Sequence, residues 1–297
     1  MTTASPVSPY LWGTNLVTMD ELDFFLTNTT TIEHIPNMHI GMIRFPNRHN
    51  PRLYTAAAHR IRQLGVLPLA ILPYNNLEAD LMMVDILNTL FGSALIYYEF
   101  GNERDGTWFG PYQSPADYAA AWNRSIPLLK TRARNARFVG PVNYHADPAY
   151  IAAFLQQVSV LPDAVSWHEY TCPSDASSEL CIERIDRWST HIAETRQAMR
   201  DTIRQELPVI ISEWNWNPLN TPDPRMQDYD FIYRWTRRAF AVLVENQVFA
   251  SCQYCLTNYA GLAMLDDRTH TLTGQAAAFR DSFALYCRPP LSNQEQR

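Results

Sequence analysis

The sequence predicts an α/β fold, a single (β/α)8 TIM barrel, and three observations predict it. Short β-rich runs alternate with helical patterns from one end of the chain to the other, the mark of βα units around a parallel sheet. Eight such units fit within 297 residues, which matches a barrel of about 250 residues with loop insertions, here mainly after the fourth and sixth strands. A doubly wound nucleotide-binding sheet is disfavoured. The first strand runs into Gly13-Thr14-Asn15, without GxGxxG, and no GxxxxGK[ST] occurs anywhere.

The strands are expected at Tyr10–Asn15, Ile40–Pro46, Val66–Pro73, Leu95–Glu103, Arg137–Tyr144, Ala164–Tyr170, Pro208–Asn215 and Phe249–Asn258. Each is β-rich and bounded by turn residues. Between them, apolar positions at three- and four-residue spacing predict helices over Pro51–Leu64, Leu77–Phe91, Pro115–Arg134, Pro148–Val158, Glu179–Arg204 and Met226–Glu245. Ser114 before Pro115 reads as a helix start, a hydroxyl cap followed by proline at the first helical position. No linker divides the chain, so residues 1–297 read as one catalytic barrel, with polar, proline-containing 288–297 as a loose C-terminal tail.

Composition narrows the function. Apolar residues make up 46% and charged residues 18%, which suits a soluble globular protein rather than a disordered or membrane-embedded one. The 24 basic and 30 acidic side chains give a net charge of −6, and the basic ones form no stripe, so nucleic acid is not the expected partner. Lys130 is the sole lysine, which removes Schiff-base barrel chemistry. The opening residues lack the charged and apolar regions of a signal peptide, and no apolar run approaches a membrane span. The expected location is cytoplasmic, or secreted after removal of a leader. Five cysteines do not make a disulfide scaffold. Cys172 and Cys181 sit close enough in one loop to pair, with free buried cysteine as the other reading. Cys252 and Cys255 form a CxxC, but on a strand that spacing sends the side chains to opposite faces. With neither HxH at the first strand nor HExxH, no metal and no other cofactor is expected.

In a barrel, chemistry sits at the carboxyl ends of the strands. The fourth strand closes with Tyr98-Glu99-Phe100-Gly101-Asn102-Glu103, and the seventh reads Pro208-Val209-Ile210-Ile211-Ser212-Glu213-Trp214-Asn215. Alternation places Glu213 on one face with Val209 and Ile211, read as the inward face. Strands four and seven are well separated around the ring, so Glu103 and Glu213 face each other across the pocket, as glycosidic bond cleavage requires. Glu99 shares the parity of Glu103 but lies four residues deeper, where it is expected to pair with an arginine. Glu169 has the opposite parity to His168 and Tyr170, which points it toward the helices.

These strand ends, taken with the barrel, resemble the clan A glycoside hydrolases, in which an Asn-Glu pair closes strand four and a second Glu closes strand seven. Ile43-Arg44-Phe45-Pro46 is similar to the clan's strand-two arginine motif. Val139-Gly140-Pro141 and Ser166-Trp167-His168-Glu169-Tyr170 resemble the Gly-Pro ending and the His-x-Tyr of the family 39 xylosidase and iduronidase branch, as does Gly261-Leu262 through Leu265-Asp266 after strand eight. The resemblance covers nearly the whole chain. It implies a retaining double displacement on a carbohydrate substrate, with Glu103 as general acid/base and Glu213 as nucleophile. It implies further that Arg44 favours the ionised nucleophile, that Tyr170 or His168 orients it, and that Asn102 contacts the sugar hydroxyl beside the anomeric carbon.

Trp108, Trp214 and Trp216 lie just beyond these ends and could offer flat faces to sugar rings. The clan's strand-eight Trp is missing from Ser251-Cys252-Gln253-Tyr254-Cys255, so either Tyr254 replaces it or the first subsite is shaped differently. No length remains for the accessory β-sandwich of that branch, so a bare catalytic core is expected. A catalytically inactive carbohydrate-binding barrel is the alternative. Arg44, Arg48, Arg52 and Arg104 could together form a basic pocket for an acidic substrate.

Overall fold

A computed structural model describes residues 7–46, 50–173, 175–218, 222–259 and 261–287. The expected tail 288–297, the opening residues 1–6 and Arg48 lie outside them. Eight parallel strands run β1 Gly13–Asn15, β2 Met42–Phe45, β3 Leu67–Leu72, β4 Ile96–Phe100, β5 Ala136–Val139, β6 Val165–Tyr170, β7 Val209–Asn215 and β8 Ala250–Gln253. Continuous ladders join them in the order β5-β4-β3-β2-β1-β8-β7-β6. Isolated bridges Val139–Ala164 and Asn143–Trp167 bring β5 against β6, giving a nearly closed barrel. The sequence-predicted (β/α)8 architecture is the observed one.

Helices α1 Phe24–Thr27 and α2 Thr29–Asn37 fill the first crossover, followed by α3 Pro51–Leu64, α4 Leu77–Phe91, α5 Pro115–Arg132, α6 Pro148–Gln157, α7 Ser178–Glu183, α8 Arg187–Ile203, α9 Tyr229–Glu245 and α10 Gly274–Tyr286. Their starts follow local chemistry. The Ser114 hydroxyl accepts from Asp117 N while the Asp117 side chain accepts from Ser114 N, a reciprocal cap over Pro115. At α3, Asn50 accepts from Arg52 N and Leu53 N, and Gly65 closes the helix in the left-handed conformation at φ 68°.

The core has two shells. Met42, Leu69, Tyr97, Val139, Ala164, Ile210, Ala250 and Cys252 fill the barrel interior, as expected of packed layers rather than a pore. Outward residues, among them Tyr98, Val209, Ile211 and Trp214, join the larger layer between sheet and helices. Val209 and Ile211 are not the floor beneath Glu213; Ile210 is the inward residue. A bulge in β7 reconciles the two faces, because Trp167 pairs with Ile211 and the next residue, His168, pairs with Glu213. The extra residue, Ser212, resets the alternation, so Glu213 turns inward and Trp214 outward.

The loop after β6 is tied by a Cys172–Cys181 disulfide, which settles the choice left open by the sequence. Cys252, Cys255 and Cys287 are free. Among the described residues no helix is long and apolar enough to cross a membrane.

Candidate active site

Above the apolar layers the barrel closes on a polar plug built around Arg44. Its guanidinium is 1% exposed and makes four contacts: Nε to Glu99 Oε2 at 2.5 Å, Nη1 to Glu213 Oε1 at 2.5 Å, Nη1 to Asn15 Oδ1 at 2.9 Å and Nη2 to Asn102 Oδ1 at 2.5 Å. Glu99 also accepts from Ser166 Oγ at 2.9 Å. A buried cation shared between carboxylates and amides repays its desolvation only with such full satisfaction. Glu99 is thus the deep arginine partner that its position implied.

Glu213 accepts from Tyr170 Oη at 2.9 Å as well as from Arg44. Burial alone would raise its pKa, but the charges of His168 and Arg44, with the hydrogen bonds from Tyr170 and Arg44, hold the carboxyl below its ordinary value. Burial and the Glu213 charge push the Tyr170 hydroxyl well above the ordinary phenol range, which keeps it a donor.

Glu103 arrives differently. The chain leaves β4 through Gly101 at φ +87°, where a Cβ would meet Tyr74 Cβ at 3.1 Å, and Glu103 itself adopts φ 47°. Non-glycine residues in this region gather at functional sites. Glu103 N donates to Val142 O at 2.9 Å, which anchors the turn to the β5 side of the barrel. The Glu103 carboxyl, 7% exposed, shares a 2.6 Å hydrogen bond with His168 Nδ1. The proton in that bond belongs to whichever partner holds it. Burial opposes a charge on His168, but Glu213 and Glu103 outweigh it and raise the imidazole pKa.

One oxygen of Glu103, one of Glu213 and one nitrogen of His168 lie within 4.8 Å of one another. These three could present donors to a divalent cation. Each is already engaged, and the Arg44 guanidinium supplies positive charge directly against Glu213, so the donor set is better suited to proton transfer than to metal binding. Asn15, Arg44, Asn102, Glu213 and Tyr254 line a cavity of about 660 Å³ that opens above the plug.

No protein family and no curated protein matches the sequence. Solved structures do match in three dimensions. A family 51 α-L-arabinofuranosidase from Bifidobacterium longum superposes with a TM-score of 0.73 at 14% identity, over 96% of this chain and 75% of that one. An α-L-arabinofuranosidase from Thermotoga maritima, solved with arabinose, gives 0.75 at 15% over 93% and 70%. A GH39 enzyme from Xanthomonas axonopodis pv. citri gives 0.67 at 15% over 96% and 69%. The fold is that of these glycosidase barrels.

Within this barrel the other expected site residues divide. Tyr254 borders the cavity beside Glu213, and its ring packs on Tyr259 at 5.6 Å. Trp108 is 60% exposed and rests against Tyr144 at 4.5 Å on the rim. His168 is not a hydrogen-bond partner of Glu213, at 3.7 Å; it holds Glu103 instead. Trp214 and Trp216 are fully buried and offer no face to a sugar. Trp214 packs among Trp188, Trp235, Phe240 and Phe279 because it has the opposite parity to Glu213. Trp216 donates to Gly261 O at 3.3 Å and packs on Phe231. Glu169 turns outward, as expected, onto Trp167 Nε1 and His191 Nδ1, each at 2.8 Å.

Asn15 is the residue that sequence reading missed. Its Nδ2 donates to Ser212 O at 2.9 Å and Cys252 O at 3.0 Å while its Oδ1 receives Arg44. It thereby ties β1 to the β7 bulge. An amide at the end of the first strand, of the same inward parity as Gly13, was the available signal.

Proposed function

We propose that this chain is a glycoside hydrolase that cleaves O-glycosidic bonds by a retaining double displacement. The observation that carries the reading is the pair of facing carboxylates, Glu103 and Glu213, with oxygens within 4.8 Å and with different partners. Retaining enzymes separate these groups by about 5–5.5 Å, whereas inverting ones need about 6.5–9.5 Å to admit a water. The likeness to arabinofuranosidase and GH39 structures supports the same class.

Glu213, kept ionised by Arg44 and Tyr170, attacks the anomeric carbon. As its C–O bond forms, the glycosidic C–O bond breaks and Glu103 delivers its proton to the departing oxygen. The alcohol leaves, and a glycosyl ester remains on Glu213. Glu103, now a carboxylate, takes a proton from water as the water oxygen attacks the anomeric carbon; the ester bond breaks and Glu213 is restored. The 2.6 Å contact with His168 gives Glu103 a partner in both protonation states, since the imidazole nitrogen can donate or accept. Asn102, fixed by Arg44 beside Glu213, stands where it can hold the neighbouring sugar hydroxyl.

Glu213→Ala and Glu103→Ala, assayed on activated aryl glycosides, test this. Each is expected to lose turnover, and azide is expected to restore product of inverted anomeric configuration to Glu213→Ala. Full activity in either variant overturns the assignment.

A further inference from the structure

The cavity that holds Glu213 and Arg44 carries a second arginine, Arg104, which is not balanced as Arg44 is. Arg44 is fully engaged by two carboxylates and two amide oxygens. Arg104 makes no ion pair among the described residues. Its Nη1 donates to the Phe109 carbonyl, and its Nε is buried without an acceptor. The guanidinium carbon lies 4.5 Å from the centre of the Tyr74 ring. That stacking holds the group flat and supplies attraction to a π face, but no counter-charge. Arg52, by contrast, lines a separate cavity with His59 and Arg60.

A guanidinium fixed at two points, facing a substrate cavity, with unused donors and no anionic partner among the described residues, is arranged to receive an anion. Nε and Nη2 lie on one edge of the planar fork, the edge that carboxylates and sulfates bind in bidentate fashion. We propose that Arg104 is a specificity-determining residue that selects glycosides bearing an acidic group, a uronic acid carboxylate or a sulfate ester, on the portion of the substrate that occupies this cavity. The proposal rests on the glycosidase reading above and deepens it by naming the substrate class.

The test compares matched aryl glycosides that differ at one carbon: the neutral hexoside, its uronic acid and its 6-O-sulfate. kcat/KM is measured for the wild-type protein, Arg104→Gln and Arg104→Lys, with circular dichroism and thermal midpoints to show that the variants fold. Wild-type protein is expected to prefer an acidic member by about 10- to 100-fold, the scale of a charge-assisted bidentate contact. Whether the carboxylate or the sulfate gains more identifies which anion the site takes. In Arg104→Gln the acidic-to-neutral ratio falls toward one, whereas Arg104→Lys, which keeps the charge but loses the fork, retains part of the preference. A wild-type ratio of one or below, or an Arg104→Gln variant that changes all three substrates by the same factor, overturns the inference while leaving glycosidase activity in place. If no glycoside is turned over, the glycosidase reading fails separately, and calorimetric binding decides Arg104. Glucuronate and glucose 6-sulfate binding more tightly than glucose, with the difference lost in Arg104→Gln, upholds it, and equal binding of all three overturns it.

Discussion

Glu213 owes its ionised state to neighbours from two other strands, Arg44 on β2 and Tyr170 on β6. Removing one of them has a signed consequence. Tyr170→Phe deletes a hydrogen bond to the carboxylate, so the Glu213 pKa rises toward its ordinary value and the acid limb of kcat/KM against pH moves to higher pH. The expected cost is about 10- to 100-fold in kcat with the fold intact; a pH profile that does not move would place Tyr170 outside the charge balance. Arg44→Met is more severe, because Glu99 is left buried without its cation, and about 3–5 kcal/mol of stability should be lost in a denaturant titration. The charged residues of this plug were readable, unlike Asn15, because a charged side chain near the end of a barrel strand has few explanations other than use or pairing. Trp214 and Trp216 were not. A tryptophan near a strand end is as well suited to packing as to sugar binding, and only the side chains around Trp214 decide between them.

The strands were legible because each is β-rich and set off by turn residues. Other features were not legible. Regular alternation along β7 puts Glu213 on the face of Val209 and Ile211, which is the outer one, and it is the bulge at Ser212 that brings the carboxylate inside. Deleting Ser212 should therefore remove activity and lower the thermal midpoint sharply, since it would drive Glu213 into the apolar layer and strand Arg44; an active deletion variant would contradict the bulge's role. Helices α3 and α4 were predicted with their observed bounds, fixed by Asn-Pro and Asn caps and closing glycines. Helices α1 and α2 escaped notice because one is four residues long and the other contains Pro36. Helix α10 escaped because it opens on Gly274, a poor helix former. The single helix expected over Glu179–Arg204 is instead α7 and α8, separated by a 3-10 turn at Arg184–Asp186. In that region the Cys172–Cys181 link closes a short loop, and Cys172→Ser with Cys181→Ser should cost about 2–3 kcal/mol, read as a lower denaturant midpoint than the oxidised wild type.

At the scale of the molecule, the dependence of stability on pH is expected to answer to a carboxylate other than Glu103 and Glu213. Asp80, in the first turn of α4, is fully buried with neither oxygen hydrogen-bonded, and burial pushes its pKa up to about 8. The unfolded chain ionises this group near pH 4. Because the folded pKa is the higher one, its contribution is fully favourable below about pH 4 and is lost as pH rises toward 8. Asp80→Asn should consequently stabilise the protein at pH 8 by on the order of a few kcal/mol and flatten that part of the stability profile; urea titrations at pH 5 and pH 8 that show no difference between variant and wild type would refute this. Asp80 is not among the hydrogen-bond partners of Glu103 or Glu213, so the site should be largely indifferent to that change. The central claim concerns Glu213 as nucleophile, and it is met most directly by trapping the intermediate. Incubation with 2-deoxy-2-fluoro glycosides carrying good leaving groups, over neutral and acidic sugars, is followed by intact mass and peptide mapping. The account predicts one sugar adduct, on Glu213, absent from Glu213→Gln. An adduct on Glu103 or Glu99, or none from a sugar whose parent glycoside the protein hydrolyses, would contradict it.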